Sequence, residues 1–437
     1  QAHAADARNV ILFIGDGMGP TVLTATRLYK VGEAGDLEML KLARSARIKT
    51  FSHDAQTTDS APSMAAYTTG VKMNNEVIAM SSDTRAVAPS KDANGNKGIN
   101  NCTSDNGTPV PTILELAKAA GKSVGAVTTT ELTHATPAAT YSHICHRDAA
   151  YAIAEQAVPG GAGFNQALGD GVDVLMGGGA NHWTPYSASN KGGRADGRDL
   201  TAELTARGYR YVTTKDELSA VNSGKVLGLF STKSHLDYEL DRVAKGAAST
   251  QPSLSEMTAK AIDLLSQNSQ GYFLMVEGGR IDHALHATNA KRSLTDAVAL
   301  DEAVKTALGK VDLSDTLIVV TADHDHTMTI NGYSAKGNKV LDLVKNGDGS
   351  TQNDVDGKPF TTLVFGNGPN RPDVRPTLTS DQVMADDYLQ ETGVKLGSET
   401  HGGGDVMLFA DGAGSGRFKG TLDNTRVFGK LREALGL

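Results

Sequence analysis

The feature of this sequence that most constrains its fold is a series of short apolar runs separated by helical patterns. The first run, NVILFI at residues 9–14, is bounded by glycine and is typical of a strand buried on both faces. Comparable runs occupy residues 123–130, 172–176, 225–230, 272–276, 316–321, 362–365 and 406–409. Helical patterns separate most of them, notably at residues 255–267 and 289–308, and a further helix is predicted near residues 109–120, beginning at Pro109. This alternation predicts an α/β fold with a large, mostly parallel central sheet, helices on both faces and sites at the carboxyl ends of strands.

The domain organisation follows from length and from one break in the alternation. A chain of 437 residues could hold two or three average domains, but large α/β folds often use this length for one elaborated sheet. We predict a single domain over residues 1–437. Between about residues 327 and 400 the alternation gives way to Gly, Asn and Asp, which indicates an inserted excursion. Residues 81–108 are similarly polar and predict a surface loop.

Charge and cysteine content indicate which partners the chain can bind and which cellular compartment it occupies. The formal charge of −8 is spread along the chain without a Lys/Arg block, which argues against nucleic acid as a specific partner. No apolar run approaches the roughly 18 to 20 residues of a membrane span. The small residues at positions 1–6 fit a chain cut after a signal peptide, so we expect export. Cys102 and Cys145 are either one bridge or two free thiols, and an oxidising compartment favours the bridge.

A hydroxyl-rich stretch, QTTDSAPS at residues 56–63, precedes a small, helix-compatible run. Ser60 would lie in the first turn of that helix, where free N–H groups and the positive dipole end favour an anion. Taken alone, the stretch is more simply a helix N-cap, because Ser, Thr and Asp cap most helices. Whether Ser60 is a cap or a nucleophile depends on whether other segments of the chain supply catalytic partners for it.

The first apolar run ends in GDGMGP at residues 15–20. A dinucleotide fingerprint does not fit, because its third glycine would fall on Pro20 and Asp16 would face the pyrophosphate. Asp16 is therefore either a turn residue or a metal ligand at the end of a strand.

Three later segments carry carboxylates and histidines beside predicted strands. Asp282 and His286 follow the fifth run at helical i, i+4 spacing, so they can grip one ion. Asp323 and His324 follow the sixth run, and His401 precedes the last. Any one of these histidines could be structural, but together they suit Zn²⁺, whereas Asp, Glu and Thr oxygens suit Mg²⁺. Two such cations could stabilise both oxygens of an in-line phosphoryl displacement.

The sequence resembles the alkaline phosphatase family along nearly its whole length. The resemblance rests on ordered motifs: FIGDGMG, TTDSAPSMAAYTTG, TTELTHATPAATYSHICHR, VEGGRIDHALH, TADHDH and ETHGGGDV. It implies that Ser60 is a nucleophile that is phosphorylated and then hydrolysed, and that Arg147, positioned by Asp59, binds two phosphate oxygens. We therefore expect Asp59 to serve the arginine and not the helix cap.

The resemblance also implies three metal sites per chain. One zinc would be held by Asp282, His286 and His401, and a second by Asp16, Asp323 and His324. Mg²⁺ would be held by Asp16 as a bridge, with Thr136 and Glu277. His134 and His283 stand where some bacterial members have aspartate and lysine, so zinc could replace magnesium in the third site.

The function implied by the resemblance is hydrolysis of phosphate monoesters, with broad leaving-group specificity, an alkaline optimum and inorganic phosphate as product. It further implies a homodimer with a crown-like element at about residues 327–400, and a periplasmic or secreted location. A phosphodiesterase or nucleotide pyrophosphatase of the same superfamily, or a sulfatase, is the close alternative. A phosphate- or metal-binding protein without catalysis is the alternative from another class.

Overall fold

A computed structural model describes residues 5–437. Residues 1–4, which carry most of the terminus expected to follow a signal peptide, lie outside the described residues. The strands are β1 (Asn9–Gly15), β2 (Arg44–Lys49), β3 (Ser123–Glu131), β4 (Val174–Gly178), β5 (Arg210–Val212), β6 (Val226–Leu229), β7 (Tyr272–Gly278), β8 (Thr316–Thr321), β9 (Asp325–His326), β10 (Met328–Ile330), β11 (Leu363–Gly368), β12 (Thr392–Lys395), β13 (His401–Gly402), β14 (Val406–Gly412) and β15 (Thr421–Asp423). The α-helices are α1 (Pro20–Val31), α2 (Ser60–Thr69), α3 (Ile113–Ala119), α4 (Ala135–Tyr141), α5 (Ala150–Glu155), α6 (Leu200–Ala206), α7 (Lys215–Ser219), α8 (Glu239–Lys245), α9 (Leu254–Leu265), α10 (Arg280–His286), α11 (Ala290–Leu308), α12 (Ser380–Val383) and α13 (Thr425–Leu435).

Across residues 5–437, ten strands form one sheet in the order β15-β2-β14-β8-β1-β7-β3-β4-β6-β5. All neighbouring pairs are parallel except those of β14, which runs antiparallel to both β2 and β8. The central strands β1, β7 and β8 are buried at every position, as their continuous apolar runs predict. The predicted large, mostly parallel sheet is confirmed.

Helices surround the sheet in two groups. The first group, α9 and α11, packs together and against the central strands β1, β3 and β7. The second group, α2, α3, α4 and α13, packs together and also contacts these central strands. One large apolar core therefore extends from the sheet into the helices. None of the helices in the part of the chain described is both long and apolar enough to cross a bilayer.

The topology brings the chemically active segments to one edge of the sheet. Strands β8, β1, β7 and β3 are neighbours. Asp323, Asp16 and His134 follow the carboxyl ends of β8, β1 and β3, and Glu277 is the last residue but one of β7. Because β14 runs antiparallel, its amino end lies at the same edge, and it begins at Val406, shortly after His401 in the chain.

The glycines after β1 leave room for a second segment to pack closely against this edge. Gly17 has a positive φ of 72°, and a Cβ at this position would overlap the ring of His326. A Cβ on Gly19 would overlap the carboxylate of Asp325. The glycines of the first motif therefore allow the segment after β8 to approach the segment after β1 closely.

The polar excursion and the loop differ from the rest of the fold. The excursion, residues 327–400, holds the small sheet β10-β11-β12 and a satellite apolar cluster of Leu343, Leu378 and Val383. The apolar run at residues 362–365 belongs to this small sheet and not to the large one.

Residues 81–108 contain isolated bridges but none of the strands or helices within the described range, and a Cys102–Cys145 disulfide ties the loop to the segment before Arg147. The bridged alternative for the two cysteines is confirmed.

Candidate active site

Ser60 is the first residue of α2, and its side chain faces two groups from the sheet edge. Its Oγ lies 3.0 Å from His324 Nε2 and 3.3 and 3.4 Å from the two carboxylate oxygens of Asp16. The residue is buried, with 2% of its surface exposed. Ser60 is therefore not the N-cap of α2, which is Asp59, and its hydroxyl lies between two predicted ligand residues.

Asp59 has three partners, and one of them corrects a prediction. Its Oδ1 accepts a hydrogen bond from Arg147 Nη1 at 3.0 Å, as the motif implied. The same oxygen accepts from the backbone N–H of Ala61 at 2.7 Å, so Asp59 is also the N-cap of α2. Its Oδ2 accepts from the backbone N–H of Glu76. The expectation that Asp59 serves the arginine instead of the cap is therefore wrong, because its two oxygens have room for both donors.

Three predicted ligand histidines have the orientation that metal ligands need. The Nδ1 atoms of His286, His324 and His401 lie 2.5, 3.0 and 2.8 Å from the backbone carbonyls of Glu399, Asp325 and Thr58. A carbonyl only accepts, so Nδ1 carries the proton and Nε2 keeps its lone pair. The Nε2 atoms of His286 and His401 lie 3.1 Å apart, and each is 3.3 Å from Asp282 Oδ1. These three predicted ligands of one ion therefore converge on one point.

The remaining predicted ligands form a buried acidic group. Burial and the nearby carboxylates of Asp323 and Asp282 raise the pKa of Asp16 well above its usual value. Burial raises the pKa of Glu277 to about 7, and burial with the charge of Asp282 raises that of Asp323 to about 6. Within residues 5–437, Thr136 Oγ1, Glu277 Oε1 and Asp323 Oδ2 are buried without a hydrogen-bond partner. Orphaned oxygens and mutually repelling carboxylates fit bound cations, so the residues present match the implied metals.

The structure groups most of the predicted ligands as expected. Ligand atoms of Asp282, His286 and His401 lie within 4.8 Å of one another, together with one of His326. Those of Asp16 and His324 cluster in the same way with Asp282. Asp323 is outside that second group, but its Oδ2 lies 3.5 Å from His324 Nε2.

Two important residues of the site, His326 and Glu399, were not assigned a role from the sequence. His326 Nε2 lies 2.7 Å from Asp282 Oδ1, and its Nδ1 lies 2.7 Å from Glu399 Oε1. Burial alone would lower the pKa of His326, but these two hydrogen bonds raise it to about 10. The charged ring therefore holds Asp282 in place. The motif TADHDH contains His326, but its contact with Glu399, 73 residues away, depends on the tertiary fold.

Replacing His326 with alanine should lower the Zn²⁺ affinity of the Asp282 site about 10- to 100-fold, because partners that orient ligands typically contribute that much. Titration of the metal-free protein against a competing chelator measures this affinity. His143→Ala is the control, because His143 is half-buried and is also bonded to a glutamate, at 2.8 Å from Glu115 Oε2. Equal Zn²⁺ affinity in His326→Ala and the wild type would contradict the orienting role.

His134 and His283 lie next to each other, and a third histidine joins them. Their ring centroids are 5.4 Å apart, and the His235 ring lies 5.3 Å from His134 and 4.3 Å from His283. Arg147 Nη2 donates to His134 Nε2 at 3.2 Å, since a guanidinium has no acceptor. His134 therefore contacts the predicted phosphate-binding arginine directly. His235 was not predicted, because it lies in no motif.

The comparison with known families agrees with this geometry. The family model described as "Alkaline phosphatase" matches residues 7–437. The chain belongs to the alkaline phosphatase family. The match spans the sheet, the site and the excursion, so the resemblance predicted from the motifs is confirmed.

Relatives and solved structures of this family resemble the chain over most of its length. The tissue-nonspecific alkaline phosphatase of Gallus gallus is 39% identical, with 93% of this chain and 80% of that protein covered. The alkaline phosphatase of Gadus morhua is also 39% identical, with 93% and 87% covered. The Thermus thermophilus alkaline phosphatase structure superposes with a TM-score of 0.72 at 27% identity, covering 100% of this chain and 93% of that one. The chain is thus a metal-binding hydrolase that acts on phosphate monoesters.

Proposed function

We propose that this alkaline phosphatase family member hydrolyses phosphate monoesters through a phosphoserine formed on Ser60. The observation that carries the proposal is the position of Ser60 Oγ, 3.0 Å from His324 Nε2 and within 3.4 Å of Asp16, at the start of a helix whose cap also holds Arg147. A buried hydroxyl among ligand-type residues and beside a bound arginine is suited to attack phosphorus.

The reaction then takes two displacements. Ser60 Oγ attacks phosphorus in line, the bond from phosphorus to the ester oxygen breaks, and the alcohol leaves. Water attacks the phosphoserine from the side the alcohol left, and inorganic phosphate is released with Ser60 restored. Each displacement inverts the configuration at phosphorus, so the overall result is retention.

Arg147 binds the phosphoryl group and stabilises its charge. Its Nη1 is held by Asp59 and its Nη2 contacts His134, so the guanidinium is fixed in position before substrate arrives. A guanidinium matches two phosphate oxygens geometrically and favours the charge on the equatorial oxygens. Because binding concentrates on the phosphate, broad leaving-group specificity is expected.

We propose two zinc ions and one magnesium ion per chain, with zinc as the alternative occupant of the third site. Asp282, His286 and His401 would hold one zinc, and Asp16, Asp323 and His324 the other. Asp16, Thr136 and Glu277 would hold the third ion, with His134 and His283 nearby. Bound, these ions would act as Lewis acids on the attacking and leaving oxygens and permit an alkaline optimum. A variant of the alkaline phosphatase from the Antarctic bacterium TAB5, 25% identical to this chain, has Mg bound in its M3 site.

The remaining proposals concern organisation and location. We propose one domain over residues 1–437, with residues 327–400 as a crown-like subdomain at the interface of a homodimer. Periplasmic or secreted location is supported by the Cys102–Cys145 bridge, because disulfides persist in oxidising compartments.

The reaction type is tested with three p-nitrophenyl substrates. The metal-loaded protein should hydrolyse the phosphate monoester at least about 10²-fold faster, in kcat/KM, than the phosphate diester or the sulfate, because each of these carries one negative charge fewer for Arg147 and the cations to recognise. Release of p-nitrophenolate measures all three reactions in one assay. Faster cleavage of the diester or the sulfate would instead assign the chain to the phosphodiesterase or sulfatase class.

A further inference from the structure

A cavity of about 350 Å³ lies beside the proposed phosphate position. It shares Arg147 and His134 with the candidate active site, and the polar residues that form the rest of its wall include Lys97, Glu131, Tyr151, Asn181 and His182. Its volume is within the range of small-molecule sites, about 300–1,000 Å³. Because Arg147 belongs to its wall, the cavity adjoins the position proposed for the phosphate.

Two acceptors in the wall have no donor within hydrogen-bond distance among residues 5–437. Asn181 is buried, with 8% of its surface exposed, and its Oδ1 has no hydrogen-bond partner among residues 5–437. The Glu131 carboxylate accepts no hydrogen bond from the described part of the chain, and its Oε2 lies 3.9 Å from His182 Nδ1. Burial raises the pKa of Glu131 to about 7. A ligand here would therefore supply donors to both acceptors.

The wall is held rigidly in place. The buried Arg194 donates from Nη1 to the carbonyls of Tyr151 and His182, at 2.7 and 3.1 Å. The rings of Tyr151 and His182 meet edge to face with centroids 5.0 Å apart, and Tyr151 Oη donates to the carbonyl of Gly192 at 2.6 Å. The cavity is therefore formed before a ligand binds, which lowers the entropic cost of binding.

We propose that this cavity binds a polyhydroxylated leaving group, such as the sugar of a sugar phosphate, with Asn181 and Glu131 accepting hydrogen bonds from its hydroxyl groups. The proposal rests on the proposed phosphomonoesterase function. Hydroxyl groups suit the wall because they can donate to these two acceptors and can also accept from the Lys97 ammonium, which pairs with Asp148 of the same wall at 2.5 Å. Broad specificity is retained, since esters without hydroxyl groups still bind through their phosphate.

The test compares glucose 6-phosphate with cyclohexylmethyl phosphate, an ester of similar ring size without hydroxyl groups. The kcat/KM ratio of the two esters is measured for the metal-loaded wild type, Asn181→Leu and Glu131→Gln. Asn181→Leu should lower the ratio about tenfold and Glu131→Gln about threefold, as expected for one or two lost hydrogen bonds. The activity of each variant on cyclohexylmethyl phosphate should stay within about twofold of the wild type, because that ester makes none of these bonds.

Asn424→Leu is the matched control. Asn424 is 1% exposed, and its side-chain amide also has no partner in residues 5–437, but it lies at the start of α13 and outside the cavity wall. Its ratio should equal that of the wild type. Ratios within about twofold of wild type in both cavity variants would overturn the inference. If Asn181→Leu does not fold, as judged by circular dichroism, Glu131→Gln decides alone. Failure of the wild type to hydrolyse either ester would instead overturn the phosphomonoesterase function itself.

Discussion

Replacing Ser60 with alanine is expected to lower kcat/KM for p-nitrophenyl phosphate by about 10³-fold or more, because the chain then has no group to accept the phosphoryl. The 3.0 Å contact with His324 and the approach to Asp16 would be lost at the same time. Steady-state kinetics measures the loss. Mass spectrometry of acid-quenched wild type incubated with substrate should find the phosphoryl group on the peptide that contains Ser60.

Ser63 provides the control for this substitution. It is a fully buried serine one turn further along α2, and its Oγ donates to the backbone carbonyls of Asp59 and Ser60 at 3.1 and 3.3 Å. Ser63→Ala should keep activity within about tenfold of wild type, since it removes only local hydrogen bonds. Undiminished hydrolysis by Ser60→Ala would rule out serine-mediated transfer. Loss of hydrolysis with retained phosphate binding would agree with it, whereas a wild type that binds phosphate without turnover would indicate the non-catalytic alternative.

Removing the metals with a chelator is the second large effect, and it should lower activity at least about 10³-fold, because bound cations supply several kcal/mol of transition-state stabilisation. Zn²⁺ followed by Mg²⁺ should restore activity. Elemental analysis of the restored protein counts the ions. A fully active protein without bound metal would contradict the proposed sites.

The metal-free protein should also become less stable as the pH rises. Carboxyl groups of the unfolded chain titrate near pH 4, whereas the folded pKa values of Asp323 and Glu277 are about 6 and about 7. Between these values the folded state holds protons that the unfolded state has released, so its stability falls as pH rises from about 4 to 7. The metal-loaded form should not show this fall, and the difference in Tm between the two forms should grow with pH.

Asp296 offers an internal control for this pH dependence. Burial raises its pKa to about 7 as well, but its carboxylate bonds the backbone N–H of Glu239 at 3.1 Å and is not among the proposed metal ligands. It therefore contributes the same slope to both forms, and the difference between them reports the metal site. A Tm difference that does not change with pH would contradict the account.

The sequence was sufficient for the central strands but not for the edges of the sheet. Strands β1, β7 and β8 are buried at every position, so their apolar runs are unambiguous. In strand β2 (Arg44–Lys49) only Ala46 and Ile48 are buried, and the other four residues are exposed, so this strand has no continuous apolar run. Helix α3 begins at Ile113, after the predicted start near Pro109, because Thr112 and Glu115 form a capping box.

Within the site, sequence predicted the ligand types but not the residues that orient them. Asp282 and His286 could be paired from their spacing on one helix turn. The contacts of His326 with Asp282 and Glu399 join segments 44 and 73 residues apart, and no local pattern encodes them. For Asp59, the prediction kept the distant contact and left out the local one. Its carboxylate both caps α2 and binds Arg147.

The Cys102–Cys145 bridge anchors the loop at residues 81–108 covalently, so the position of the loop depends little on its own side chains. Residues 81–108 have little regular structure and few buried apolar side chains, yet they supply Lys97 to the cavity wall and are joined covalently to a position two residues before Arg147. Closing a loop of this length with a disulfide contributes about 4 kcal/mol through the unfolded chain. The bridge keeps the loop anchored independently of most of its side chains, so substitutions there can accumulate without disturbing the catalytic strands. New substrate preferences could thus evolve in this loop while the phosphate chemistry is conserved.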